Sequence, residues 1–591
     1  MCGLCGEARF DGRPAGTAAT EAMTAVLAPR GPDDSGILSR GRVTLGHRRL
    51  SIIDLSTKAE QPMTDPGLGL SIAFNGCIYN YQELRDELHG LGYSFFSHGD
   101  TEVVIKAYHA WGTNCVHRFN GMFAFAIHER DSGRLVLARD RFGIKPLYLA
   151  ETDGALLFAS SLPALVKTGR VDTSIDRVAL QYYMTFHAVV PAPHTILNGV
   201  KKLPPATIRV VEADGTSREE VYWRMDFDRS EVDENRSADE WRDLLLDELR
   251  RSVERRMVSD VPVGVLLSGG LDSSLIVGLL AERGQKDLET FSIGFEAANG
   301  EKGDEFRYSD LIAKHYGTVH HKIFVPEAEM IENLPGAIRA MSEPMVSYDN
   351  VAFYMLSREV AKRVKVVLSG QGADEVFGGY HWYPPLAGSN DPVSEYAQRF
   401  FDRDHARLSR HLAPEWQIET DEARAFVAAH FGQAGASDPV DKALRLDSLV
   451  MLVDDPVKRV DNMTMAFGLE ARVPFLDYKL AELAARIPSR HKLARGGKGV
   501  LKEAARQVIP HEVIDREKGY FPVPSLKYIE GSRLEFVRAA LSSRAARERG
   551  LFRQDYLDSL YANPRDAITP LRGSELWQVG LLELWLQAQG I

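Results

Sequence analysis

Cysteine is scarce in this chain. Its 591 residues hold four, Cys2, Cys5, Cys77 and Cys115, all within the first fifth. That confinement excludes a disulfide framework spanning the molecule. Cys2-Gly3-Leu4-Cys5 spaces two thiols for zinc, but no second ligand pair at similar spacing follows, so a structural metal site is not expected there. Also missing is any apolar run near the roughly 18 residues that cross a bilayer. The N-terminus has no basic stretch leading into an apolar one, so no secretory signal is expected. No long Lys/Arg cluster interleaves with aromatics, and the formal charge is −11. Nucleic acid, which needs a concentrated basic surface, is therefore not an expected partner. Together these absences point to a cytoplasmic protein with neither membrane nor nucleic-acid partners.

What is present is ordinary globular composition, 44% apolar and 26% charged. Cores stop growing near roughly 250–300 residues, so two or three domains are expected. Residues 1–205 read as short strands punctuated by turns, at 43–47, 70–74, 122–127 and 135–139, which suits antiparallel sheets. From 236 the pattern changes to an amphipathic helix over 241–257, an apolar strand over 263–267, a helix from Leu275, and strands at 290–295 and 365–368 separated by helical stretches. That alternation implies a mostly parallel α/β sheet. The expected division is 2–205, a linker over 206–235 marked by Asp214-Gly215 and a charged run, and 236–591. Leu576, Trp577, Leu581, Leu582 and Trp585 form the apolar face of a docked terminal helix. His315, His320 and His321 lack acidic or thiol partners at metal spacing and are read as structural.

The chemistry begins at Cys2. Removal of Met1 would leave one residue carrying both a thiol and a free α-amine, and an amine whose pKa in a free chain is about 8 can act as general base for its own residue's thiol. Cys5 is then a small buried hydrophobe. Further segments follow in order: Arg30-Gly31-Pro32-Asp33, His47-Arg48-Arg49-Leu50-Ser51-Ile52-Ile53-Asp54, Asn75-Gly76 and Gly99-Asp100-Thr101-Glu102. With Met1-Cys2-Gly3 they resemble the class II glutamine amidotransferase family, whose fold is an N-terminal-nucleophile hydrolase of stacked antiparallel sheets flanked by helices. The resemblance implies that Cys2 is the nucleophile and that Asn75 and Gly76 form the oxyanion hole. It also implies that Arg49 holds the α-carboxylate of glutamine and Asp100 its α-ammonium. Where most members read Asn-Gly-Glu-Ile-Tyr, this chain reads Asn75-Gly76-Cys77-Ile78-Tyr79. One carboxylate near the substrate amine is lost, so either glutamine binds more weakly or a backbone carbonyl compensates.

In the second half, the strand over 263–267 runs into Ser268-Gly269-Gly270-Leu271-Asp272-Ser273-Ser274 and a helix. Glycines let backbone N–H groups approach an anion, hydroxyls add donors, and the helix N-terminus adds positive potential, which makes a pyrophosphate cradle. It lacks the Gly-Lys-Ser/Thr of a Walker loop, and Gly496-Gly497-Lys498-Gly499 does not supply one. A second loop, Ser369-Gly370-Gln371-Gly372-Ala373-Asp374-Glu375, follows the strand at 365–368. Ligands of an open parallel sheet bind beyond the carboxyl ends of its strands, so both loops should face one site.

The first of these loops resembles the PP-loop of ATP pyrophosphatases, and the chain as a whole resembles the asparagine synthetase family. By that resemblance ATP contacts Leu266, Ser268, Gly269, Gly270, Asp272, Ser273, Ser274, Ile293, Ser369 and Gly370. Asp272 and Asp374 would hold Mg²⁺ bridging the phosphates, and Lys498 would be the catalytic cation at pyrophosphate and adenylate. Arg472, in another family motif over 469–477, is open between a substrate role and an ion pair. The expected enzyme is a glutamine-hydrolysing carbon–nitrogen ligase that takes glutamine, ATP and a carboxylate acceptor and is compatible with a homodimer. Ammonia freed at Cys2 would amidate a carboxylate activated as acyl-AMP. Members that make asparagine carry Ser-Gly-Glu-Gly in the second loop, whereas Gln371 cannot act as a general base. Cys77, Gln371 and the segments 340–347, 380–384 and 451–463 resemble a narrower branch, the bacterial N-acetylglutaminylglutamine amidotransferases, which make an osmoprotectant. The alternative acceptor is aspartate.

Overall fold

The computed structural model describes residues 2–296, 303–516 and 529–591. In the N-terminal half the strands are β1 Gly3–Arg9, β2 Asp34–Arg40, β3 Val43–Arg49, β4 Met63–Asp65, β5 Leu70–Ile78, β6 Gly121–Glu129, β7 Leu135–Arg139, β8 Tyr148–Thr152, β9 Ala155–Ala159, β10 Lys201–Lys202, β11 Thr207–Val211 and β12 Ser217–Val221. They pair antiparallel into two sheets, ordered β10-β8-β9-β1-β3-β2 and β12-β11-β7-β6-β5-β4. Strand residues alternate between faces, and β5 shows what that alternation does. Ala73 faces Leu4 and Leu45 of the other sheet, together with Ala124 and Ala126 of β6. Small residues on this face let the sheets approach. Ile72 and Phe74 point the other way, onto Val103, Val104 and Ala107 of the helix Asp100–Trp111. Asn75 and Cys77 share the inner face with Ala73, so they are aimed at β1, the strand that follows Cys2.

The stretch 206–235 is more than the linker expected from its composition. β11 pairs with β7, setting Ile208 opposite Ala138, and β12 pairs with β11. β12 reads Ser-Arg-Glu-Glu-Val and is exposed along its length, an edge strand whose polar side chains hide the period-2 signal.

The C-terminal half contains β13 Val263–Leu266, β14 Glu289–Phe295, β15 Val319–Val325, β16 Val366–Leu368 and β17 Glu470–Arg472, all parallel, in the order β15-β14-β13-β16-β17. The helix Ala238–Arg255 starts before its apolar period because Ser237 and Glu240 close a reciprocal capping box. The helix Leu271–Glu282 starts four residues before the expected Leu275, which puts Asp272, Ser273 and Ser274 in its first turn. The terminal helix Glu575–Ala588 docks as its apolar face requires. Its Trp577 and Trp585 indoles each donate, at 3.0 Å, to the carbonyls of Val346 and Met341.

The halves meet across buried ion pairs. Arg30 binds Asp461 at 2.8 Å, Lys145 lies 3.5 Å from the same carboxylate, and Lys202 binds Asp454 at 2.6 Å and Glu343 at 3.2 Å. Breaking one such pair leaves an uncompensated buried charge, at about 3–5 kcal/mol. Arg-Gly-Pro-Asp of the first half supplies two of the anchors, since Asp33 also pairs with Lys365 at 2.8 Å.

Candidate active sites

Register brings the first site together. The backbone N–H of Cys2 donates to Asn75 Oδ1 at 3.0 Å, and Asn75 Nδ2 is buried with no hydrogen-bond partner among the described residues. A buried donor without a partner costs about 1–3 kcal/mol, and beside a nucleophile it can bind an oxyanion. The Cys2 carbonyl accepts from Arg30 Nε at 3.3 Å. A cavity of about 30 Å³ is lined by Cys2, Arg49, Gly76, Cys77, Asp100, Glu470 and Arg472, among others. The Arg49 guanidinium is held by the carbonyls of Ser56, at 3.0 Å, and Asp54. Asp100 Oδ2 accepts from Ile78 N at 3.0 Å. Burial, and then the Glu470 carboxylate, push Asp100 up to about 6. Burial also raises the Cys2 thiol, so a base is needed to ionise it. His47 is structural: its Nε2 lies 3.0 Å from the Phe74 carbonyl, and burial drives its pKa down to about 3.

The second site is a cavity of about 420 Å³ at the carboxyl ends of β13, β14 and β16. Leu266, Ser268, Gly270, Asp272, Ser273, Ile293, Ser369, Gly370, Asp374 and Lys498 line it. Gly269 and Ser274 do not. Gly269, at φ +76°, makes the turn itself, where a Cβ would stand 2.7 Å from Ser309 N, and Ser274 is buried in the first helical turn. Lys498 Nζ lies 2.8 Å from Asp272 Oδ2 and 2.9 Å from Asp374 Oδ1. A Cβ on Gly379 would come within 2.0 Å of Asp374 Oδ1 and 2.5 Å of Lys498 Cε, so only glycine lets the two meet. Against the downward pull of burial, the two aspartates raise the Lys498 pKa and keep it an ammonium. Phe353 and Leu356 add an apolar wall, and Asp349, Gln371, Glu305 and Arg516 complete the rim; spacing in the sequence marks none of these except Gln371.

The glutamine amidotransferase domain family matches residues 1–223, and the asparagine synthase family matches residues 244–587. The chain belongs to the asparagine synthetase family. Asparagine synthetase [glutamine-hydrolyzing] 1 of Bacillus subtilis is 33% identical over 583 residues, spanning 91% of this chain and 89% of that protein. A putative asparagine synthetase of Mycobacterium tuberculosis (strain ATCC 25618 / H37Rv) is 34% identical over 606 residues, 92% and 91% of the two chains. Asparagine synthetase B of Escherichia coli is 30% identical over 525 residues, 84% and 78%.

As a member of the asparagine synthetase family the protein is a glutamine-dependent, ATP-using ligase. Its second cavity also fits a divalent cation. Two carboxylate oxygens already converge on one cation, the Lys498 ammonium, within 3 Å. Mg²⁺ is usually bound by one or two protein carboxylates beside phosphate and water. The family motif over 469–477 turns out to serve the other site. Arg472 pairs with Glu470 at 2.6 Å, and both line the Cys2 pocket. Of the histidines, His320 bonds Thr290 and Ser292, and His321 pairs with Glu289. No helix among the described residues is long and apolar enough to cross a membrane.

Proposed function

We propose that this asparagine synthetase family member amidates the free carboxylate of N-acetylglutaminylglutamine. The Cys2 α-amine takes the thiol proton and the thiolate attacks the glutamine amide, with Arg49 and Asp100 holding the α-groups and Asn75 Nδ2 and the Gly76 N–H receiving the oxyanion. The α-ammonium gives its proton to the departing nitrogen, water then hydrolyses the Cys2 thioester to glutamate, and the ammonia passes to the second cavity. There the acceptor carboxylate attacks the α-phosphorus of ATP, pyrophosphate leaves, and ammonia displaces AMP from the acyl-adenylate. Asp272 and Asp374 would hold Mg²⁺, which would neutralise phosphate charge. Lys498 meets the charge that builds on pyrophosphate.

The observation that carries the choice of acceptor is Gln371, which lines the cavity beside Gly370 and Asp374. A carboxamide donates and accepts hydrogen bonds but takes no proton, so it suits neutral amides better than a charged amino acid. The surrounding charges are matched within the protein as well. Arg516 pairs with Glu305 at 2.9 Å and Asp349 with Arg459 at 3.0 Å. Aspartate, with two carboxylates and an ammonium, would have to open such pairs or leave its own charges unpaired, which is costly. An acetylated dipeptide brings one carboxylate and several amides.

The test offers purified enzyme ATP, Mg²⁺ and glutamine with either acceptor and measures AMP. The expected result is AMP release with the dipeptide and little with aspartate, and Gln371→Glu alone does not reverse the preference because the rest of the wall is unchanged. AMP and asparagine formed from aspartate, with none from the dipeptide, would overturn the proposal.

A further inference from the structure

β17 is the edge of the parallel sheet, paired among the described residues with β16 alone. Its first and third residues, Glu470 and Arg472, lie on one face by strand alternation. Both are buried, at 1% and 0% exposure, and both line the Cys2 pocket on the other half of the molecule. Two carboxylates, Asp100 and Glu470, are thus enclosed in one small cavity. Against the upward pull of burial, the chain's N-terminal ammonium first, and then Arg472, which pairs with it at 2.6 Å, and Lys145 hold the Glu470 carboxyl down at about 2. Like charges so enclosed repel, and a cation placed between them relieves the repulsion. The same pocket contains a donor in want of an acceptor: Arg472 Nη2 is buried and has no hydrogen-bond partner among the described residues. A ligand with both an ammonium and a carboxylate answers both features. Cys77 cannot take the cation, because its thiol is neutral, its pKa raised by burial.

We propose that Glu470, from the synthetase half, is a glutamine-binding residue that shares the substrate α-ammonium with Asp100 in the place left by Cys77. The pocket has two acidic groups for that ammonium, one from each half, although β5 supplies none. The glutamine site is therefore complete only when β17 is docked. This rests on the glutamine-hydrolysing reading of the Cys2 site and is independent of the acceptor.

The test is steady-state glutamate release by the full-length protein, without acceptor. Glu470→Gln is expected to raise the KM for glutamine by roughly tenfold to a hundredfold, the loss of one charge-assisted hydrogen bond, with kcat within about threefold. Adding Cys77→Glu to that variant restores two carboxylates to the pocket and is expected to bring KM back to within about threefold of the parent. A fall in kcat with KM unchanged, or a raised KM that Cys77→Glu does not lower, would overturn the proposal in favour of a purely structural Glu470. Should Glu470→Gln fail to fold, Glu470→Asp keeps the charge but withdraws it by one methylene. A rise of about tenfold in KM supports the proposal, and an unchanged KM overturns it. A parent protein that releases no glutamate would instead sink the Cys2 reading, and this proposal with it.

Discussion

The glutaminase pocket encloses about 30 Å³ and is walled largely by side chains fixed on or beside paired strands, whereas the synthetase cavity encloses about 420 Å³ and is walled mainly by loops and helix starts beyond strand ends. The difference suits the substrates proposed for each cavity. One small amino acid can be met by side chains whose positions are set by register, as Asn75 is set against Cys2. A nucleotide and a second substrate need backbone N–H groups and room, which Ser268–Ser274 and the loop from Ser369 supply. β17 belongs to both. Its side chains enter the first pocket, while the carbonyl of Arg472 accepts from the N–H of Ser369, where the second Ser-Gly loop begins, at 2.9 Å. β17 thus lies between the two cavities and touches the wall of each.

The sharpest way to separate the sites is Cys2→Ala. Glutamine-dependent product formation should fall on the order of 10³-fold or more, with ammonia-supported synthesis persisting because its groups lie in the other cavity. Product assays with either nitrogen donor decide it, and glutamine use at the parent rate would refute the nucleophile assignment. The converse cut, Asp272→Asn or Asp374→Asn, removes a charge from the phosphate site and from the pair that holds Lys498. Pyrophosphate release should drop roughly 10²–10³-fold while glutamate release stays within a few-fold. Unchanged pyrophosphate release in either variant would remove the metal role.

Much of this architecture can be read from the residues, and the failures have separate causes. Four strands of the first half, β3, β5, β6 and β7, are marked by short β-rich runs between turns, and the two Ser-Gly loops by composition, because both signals are local. β12 reads as linker because an exposed edge strand carries no apolar period, and β11, buried between β7 and β12, is only five residues long and stands between Pro204-Pro205 and Asp214-Gly215. The role of β17 is hidden for a different reason. Glu470 and Arg472 lie about 370 residues beyond Asp100, and no local pattern reports that a strand of one sheet closes the pocket of another. The motif puts Gly269 and Ser274 on ATP, where geometry uses one for the turn and buries the other. Spacing identifies a loop, but which of its atoms face the ligand depends on what packs behind it.

A smaller and graded difference between the sites should appear with pH. Asp100 is raised from 3.8 to about 6, by burial first and then by Glu470. Because its folded pKa exceeds the unfolded one, the folded state retains a proton that the unfolded chain has lost between those values. Ionising Asp100 therefore costs stability as pH rises through that window, and only the ionised form can hold an ammonium. A second group acts on the same rate: the Cys2 α-amine, of pKa about 8 in a free chain, must be neutral to serve as base. The kcat/KM for glutamine hydrolysis should accordingly fall with decreasing pH, at about tenfold per unit below the amine pKa and about a hundredfold per unit below about 6. The kcat should lack the lower break, because a bound ammonium keeps Asp100 ionised. Asp100→Asn should lower kcat/KM at neutral pH and abolish that break, leaving a single slope. Profiles of both parameters measured from about pH 5 to about pH 8 test this, and a kcat/KM that shows one slope throughout in the parent protein would mean that Asp100 does not carry the ammonium contact.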